Sequence, residues 1–243
     1  MRGIKAALLM LITPAVLSVA ISLIRHSTRH QNNPNFLQFC LENIRTNVET
    51  YSCDFVRQER VNGKLLEKHE SRVFFRSTPF SVYMENVGDA RKLWYVQDKI
   101  VKKNKRYMVI EPDGVIVRIL FGKRIEIAID DPRVMAKTRK QIDEFGFENT
   151  LKTLILSIRS EDCDKFYLEG EGLFNGRKAY TYYRTLKDSS LNPAKYVRFY
   201  IDQEWLIPIG VYSYSDREAT ILLGEYVYGN VKINVDLDPN LFE

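Results

Sequence analysis

Histidine, cysteine, paired carboxylates and clustered cations are the groups from which a chain builds chemistry, and in this sequence each is scarce or badly placed. The histidines are His26, His30 and His69, and the first two lie in an N-terminal leader and its linker, which nearly excludes histidine chemistry. Cys40, Cys53 and Cys163 have neither CxxC nor metal-ligand spacing and read as small buried hydrophobes; being three, they allow at most one internal bridge. Cys163 with His69 is the conceivable thiol and base, but nothing in the sequence brings them together.

Carboxylates cluster at Asp130 and Asp131, at Asp143 and Glu144, and at Glu161, Asp162 and Asp164. Such sets serve glycoside hydrolysis or calcium binding, yet these stand at element boundaries, where capping and solvation account for them. There is no GxSxG elbow, HExxH helix or Walker loop. Gly170 and Gly172 fall inside a strand pattern rather than ahead of a helix, so they read as a bulge or hairpin feature, not a phosphate cradle. The reading is therefore of a protein with no catalytic residue, no metal and no cofactor.

The net charge is +5, and the leader's Arg2, Lys5, Arg25 and Arg29, with no acid among them, account for most of it. A nearly balanced body lacks the field that drives phosphate-backbone binding, so nucleic acid is not an expected partner. For the same reason Trp94, Trp205 and the many tyrosines read as core or cavity lining rather than a base-stacking platform. The densest basic run, 99–106, carries Lys99, Lys102, Lys103, Lys105 and Arg106. It is either a solvated hairpin tip or a dock for anionic lipid headgroups, each cation contributing about 1 kcal/mol near such a surface.

Residues 1–30 form a signal peptide or membrane anchor plus linker. The uncharged stretch 6–24 sits at the border between a long secretory core and a span of ~20 residues. Ser18 and Ala20 offer a cleavage pattern, whereas Pro14 and the cations after Ile24 leave an uncleaved anchor open. Either way the body, 31–243, is exported as a single domain, to a periplasm-like space, soluble or held at the inner membrane.

In that body, Asn33 and Pro34 signal a helix start, and Phe36, Leu37, Cys40, Leu41, Ile44 and Val48 give the helix one apolar face. From Tyr51 the period becomes two, and six runs ending with "VIVRILF" read as strands joined by turns, among them Asn62-Gly63 and Pro112-Asp113-Gly114. Asp131 and Pro132 open a helical interlude whose clearest helix covers 148–159, with Leu151, Leu154, Ile155 and Ile158 as its stripe. Six further strands follow, the last two read as "ATILLGEYVYG" and "VKINVDL". This makes a mainly β, α+β chain of roughly ten to twelve antiparallel strands. Among the first six strands no connection is long enough for a crossover helix, which argues against a doubly wound fold.

The late strands are largely apolar or aromatic on both parities: Val197, Phe199 and Ile201 oppose Tyr196, Arg198 and Tyr200, and Leu222, Tyr226 and Tyr228 oppose Ile221, Leu223 and Val227. A sheet greasy on both faces needs cover on both. Helices cover one opening, and the other face is expected to curve into a half-open barrel around a hydrophobic hollow, with a closed barrel and solid core as the alternative.

The strings "YSCDFVRQERVNGKL", "FFRSTPFSVYM" and "IDEFGFENTLKTLI" resemble a family of exported bacterial proteins with a domain of unknown function, similar in layout to LolA-type lipoprotein carriers. That resemblance implies a strongly curved antiparallel sheet whose concave face holds acyl chains beneath a helical lid. It also implies a role in lipoprotein discrimination for an arginine near a proline at an early strand end. Arg76, three residues before Pro79, is the nearest match, although the carriers have the two adjacent.

The function expected is non-catalytic binding of lipid or lipoprotein acyl chains. The candidate lining is Phe55, Phe74, Arg76, Phe80, Tyr83, Trp94, Phe199, Tyr212 and Tyr226, with Leu151, Leu154 and Ile155 as the lid. The alternative is an envelope sensor or scaffold that binds another protein without lipid cargo, through its sheet edge or basic loop.

Overall fold

The computed structural model describes residues 34–88 and 90–243; the leader and the expected cap at Asn33 lie outside the described residues. Helix α1 (Pro34–Asn47) has proline in its first turn and buries Phe36, Leu37, Cys40, Leu41 and Ile44, the stripe the spacing predicts. It packs against a second long helix, Phe147–Arg159, to which Arg45 Nε is tied by Glu148 Oε1 at 2.8 Å. That helix starts one residue earlier than expected because Gly146, at φ 101°, turns the chain into it. A Cβ on Gly146 would also come within 3.1 Å of Tyr51 Oη.

The first half of the sheet comprises β1 (Thr50–Val61), β2 (Lys64–Leu65), β3 (His69–Arg76), β4 (Ser81–Val87), β5 (Ala90–Val96), β6 (Val101–Lys102) and β7 (Lys105–Pro112). The short helix α2 (Val115–Phe121), strand β8 (Ile125–Ala128) and α3 (Pro132–Met135) follow, then the long helix, α4. The second half comprises β9 (Cys163–Phe174), β10 (Arg177–Leu186), β11 (Tyr196–Asp202), β12 (Pro208–Tyr214) and β13 (Leu222–Ile233). All the strands join one antiparallel sheet of 13, in the order β6-β7-β5-β4-β3-β1-β13-β12-β11-β10-β9, with β2 on β1 and β8 on β7. It is curved and unclosed, the half-open architecture expected, and not the closed barrel held as its alternative.

Three strand expectations need correction. "VIVRILF" is helix α2, whose Ile116, Ile119, Leu120 and Phe121 stand exposed. The two last strands are one, β13, which passes Asn230 (φ 48°) through a register shift opposite Ser52 and Asp54 instead of turning. The strand count exceeds twelve because β2, β6 and β8 are short pairings at the margins.

The main core lies between the concave face and the two long helices. Tyr182 and Phe199 are fully buried, with Phe36 of α1 set 6.3 Å from Tyr182 and Phe166 stacked on it at 5.5 Å. Phe147 of α4 stacks 4.2 Å from Tyr51 and meets Tyr228 at 4.9 Å. A smaller core lies on the convex face, where the C-terminal Leu237, Leu241 and Phe242 cover Phe74, Tyr83 and Trp94. No helix among the described residues is long and apolar enough to cross a membrane.

Candidate functional site

A cavity of ≈ 840 Å³ opens on the concave side of the early strands. Its apolar wall comes from one parity of those strands: Met84 of β4, Leu93 of β5, Met108 and Ile110 of β7, and Ile127 of β8. The space persists because α1 does not border this part of the sheet and α4 borders it only along one side, with Thr150, Thr153, Leu154 and Ser157. It is roofed instead by the strap between β8 and α4, which lays Val134, Ile142 and Phe145 over the gap. Asp131 anchors the strap by accepting from Arg133 N at 2.8 Å. The carboxyl of Asp131 is held down to about 2 by its bonds with Arg133.

A polar belt crosses the cavity floor where β1 meets β13. Glu59 is 2% exposed, and its Oε1 accepts from Tyr226 Oη at 2.6 Å and from Arg139 N at 3.3 Å, with Arg57 Nη1 3.8 Å from the other oxygen. Tyr226 reaches it because residue 224, opposite Glu59 in register, is glycine; a Cβ there would stand 2.9 Å from the Tyr226 ring. Burial first, then the Glu59 charge, pushes the Tyr226 hydroxyl well above its ordinary range, so it remains a donor. Lys140 lies 5.0 Å over the same ring, and burial lowers the ammonium below its usual value.

Following the ladder from Glu59 across the sheet leads through Gly224, Ser213 and Val197 to Arg184 on β10. Arg184 is 3% exposed, lines the cavity, and donates from Nη1 to the Ala194 carbonyl at 2.7 Å. Burial lowers its guanidinium to about 10.

Of the expected lining residues, Phe55 and Tyr226 face the cavity. Five are corrected; of these Phe74, Arg76, Tyr83 and Trp94 point to the convex side, one residue out of phase with the wall. Arg76 lies 4.7 Å over the Phe242 ring and donates to Ser81 Oγ. Tyr212 is likewise convex, beside Tyr200 and opposite in parity to Val211 and Ser213 of the wall. Phe199 and Phe80 are on the concave side but sunk into packed core, Phe80 against Phe75 and Tyr95. In the expected lid only Leu154 looks into the cavity, while Leu151 and Ile155 are buried in the main core.

The remaining chemistry-bearing groups have structural employment. His69 is on β3 and Cys163 on β9, at opposite reaches of the sheet, so they form no dyad. All three cysteines are free, and burial raises the thiols of Cys40 and Cys53. Asp143 pairs with Arg106 at 2.7 Å, Asp130 with Lys105 at 3.1 Å, and Asp162 accepts from Ser190 Oγ at 2.7 Å. The basic run 99–106 is correspondingly engaged: Lys102 pairs with Glu126, and Lys99 donates to the Phe242 carbonyl at 3.0 Å. Sequence reasoning missed Met84, Leu93, Met108, Glu59 and Arg184. Strand alternation held the signal, but the larger aromatic residues of the other parity drew the assignment.

The family model described as "Protein of unknown function (DUF1571)" matches residues 48–243. No curated protein matches the chain. Among solved structures, similarity is found to MucB, at 14% identity over 86% of this chain and 61% of MucB, with a TM-score of 0.48. LprF from Mycobacterium bovis is similar at 10% identity over 85% of this chain and 97% of its own, TM-score 0.42. A LolA superfamily protein from Nitrosomonas europaea matches at 10% identity over 85% of this chain and 96% of its own, TM-score 0.34.

Proposed function

The chain belongs to the DUF1571 family, and from that premise and the geometry of the hollow we propose that it is a non-catalytic, exported protein holding lipid or lipoprotein acyl chains, as a carrier or presenter. The observation that carries this reading is the ≈ 840 Å³ cavity walled by Met84, Leu93, Met108, Ile110 and Ile127. Its size falls in the ~300–1,000 Å³ range of ligand pockets. Methionine side chains on the wall suit a flexible guest, because they repack cheaply around different chain positions.

The energetics are adequate. Burying sixteen methylenes at about 0.8 kcal/mol each contributes about 13 kcal/mol. Association costs of about 4 kcal/mol or more leave at most about 9 kcal/mol, which puts micromolar binding at the upper reach of one such chain.

The test is mass spectrometry of organic extracts of the purified full-length protein, with uptake of a fluorescent fatty acid. Co-purified lipid at near one equivalent and saturable uptake are expected. Neither lipid nor uptake would end the proposal.

A second reading, a scaffold that binds another protein, is favoured by one feature. β9 is an edge strand of 12 residues with Leu173 and Tyr167 exposed, a template for strand addition. A stoichiometric protein partner recovered from a lipid-free preparation would favour it over the carrier.

A further inference from the structure

Arg184 is the one cation lining the cavity that is buried, and among the described residues no acid pairs with it. Arg57 stands beside Glu59, Arg139 donates to the Leu223 carbonyl at 3.0 Å, and Lys140 rests on Tyr226 in the fields of Glu144 and Glu59. The Arg184 guanidinium makes a single hydrogen bond, to Ala194, and its buried Nε has no partner among the described residues. The acids of the neighbouring chain are turned elsewhere: Asp162 to Ser190, and Asp164 to Arg217 at 3.4 Å.

A cation taken out of water and left unpaired is costly, and proteins offset that cost with a fixed counter-charge or a bound one. Here no described residue supplies a fixed one. What it supplies is room, because Arg184 borders the cavity together with Ser157 of α4 and Asn192, whose side chains add polar groups at the same end. The neighbouring Val197, Val211 and Leu154 then lead from this polar end toward the apolar bay. From β10 to β5 and β7, which carry that bay, is seven and eight strand spacings, roughly 34 and 38 Å along the curved sheet and less across the hollow.

We propose that Arg184 is the headgroup anchor of the cavity, and that the ligand is an anionic amphiphile whose carboxylate or phosphate meets Arg184 while its chain lies against Leu93, Met108 and Ile110. Guanidinium suits either anion, because its fork of N–H donors matches two oxygens at once. The inference rests on the acyl-binding reading and adds the charge of the ligand and the residue that reads it.

The experiment measures displacement of Nile red from the full-length protein by three amphiphiles of equal chain: palmitate, palmitoyl-lysophosphatidate and the uncharged monopalmitoylglycerol. Either anionic ligand is expected to compete at least tenfold better than the uncharged one, and whichever is stronger names the head. Arg184→Met should remove that preference and leave monopalmitoylglycerol unchanged; Arg184→Lys should restore part of it. Equal competition by all three in the unaltered protein overturns the anchor while leaving the acyl-binding reading intact, and so does a preference that survives in a folded Arg184→Met variant. Inorganic phosphate binding as tightly as the lysophosphatidate would overturn it too, since the chain would then contribute nothing. If none of the three displaces the dye, the acyl-binding reading itself falls.

Discussion

Toward one end of the late strands the concave residues Tyr182, Phe199 and Ile201 are packed under α1 and α4, whereas Met84, Leu93 and Met108 of the early half, though buried, border the cavity, as do Arg184, Val197 and Val211 at its late-strand margin. Both halves carry large apolar residues on that face, so composition alone does not decide where the hollow lies. The cover decides. A helix of three or four turns delivers a side chain to the sheet every three to four residues and fills the interface, as the buried stripe of α4 does. The strap over the early half contains only the four-residue α3 and a 3₁₀ turn at Ile142–Glu144, and it delivers too few side chains to close the gap.

The contrast makes unequal demands on substitutions. The largest effect is expected in the filled half: Phe199→Ala should cost about 3–5 kcal/mol in a denaturant titration, since Phe199 is fully buried between Tyr182 at 5.2 Å and Phe166 at 6.4 Å. In the open half Leu93→Ala should cost less, because it widens a cavity that already exists rather than opening a new one. Equal losses would break the distinction. The converse change sharpens it: Met108→Trp fills the hollow and should lower fluorescent fatty acid uptake at least tenfold while leaving the unfolding midpoint nearly in place.

Next in size is the belt between the halves. Tyr226→Phe removes the 2.6 Å donor from Glu59 and leaves a buried carboxylate oxygen short of a partner, at a cost of about 1–3 kcal/mol. A loss below about 0.5 kcal/mol would mean that the belt is wetter than its burial indicates.

The strap itself has an acid-sensitive pin. Asp131→Ala, which deletes the N-cap of α3, should cost about 1 kcal/mol. The Asp131 carboxyl is depressed in the folded state to about 2, below its unfolded value near ~3.9. Its contribution is thus fully present above about pH 4 and lost as pH falls toward 2. The difference in stability between the unaltered protein and Asp131→Ala should therefore narrow over that window. A gap that stays constant with pH would refute the cap as its source.

Much of this arrangement was legible in the residue pattern. The stripes of α1 and α4 repeat at the helical period because one continuous face is buried, and Asn62-Gly63 closes β1 on β2 because both residues take positive φ. Where the pattern misled, a local signal had a distant cause. Gly229 and Asn230 carry turn chemistry but serve a bulge inside β13. Phe74, Tyr83 and Trp94 are large and aromatic because they bed the C-terminal Leu237, Leu241 and Phe242, a tail with no periodicity of its own to announce it. The cavity wall was therefore assigned to the wrong parity, and with it Arg76. Arg184 escaped notice because one arginine among alternating tyrosines in "RKAYTYYRTL" looks like any strand-end cation until its burial is known.

The smallest stability effect is expected outside both halves. Ile116, Ile119 and Leu120 of α2 are between 70% and 76% exposed, and none belongs to either core. Replacing all three with serine removes almost no buried area, so the unfolding free energy should stay within about 0.5 kcal/mol of the unaltered protein. A drop of 2 kcal/mol or more, on the scale of burying a large aliphatic side chain, would mean that α2 folds down over the cavity in solution and supplies the cover that the strap lacks. The early half would then be closed like the late one, and the difference between them would lie in how easily the cover lifts rather than in whether it exists.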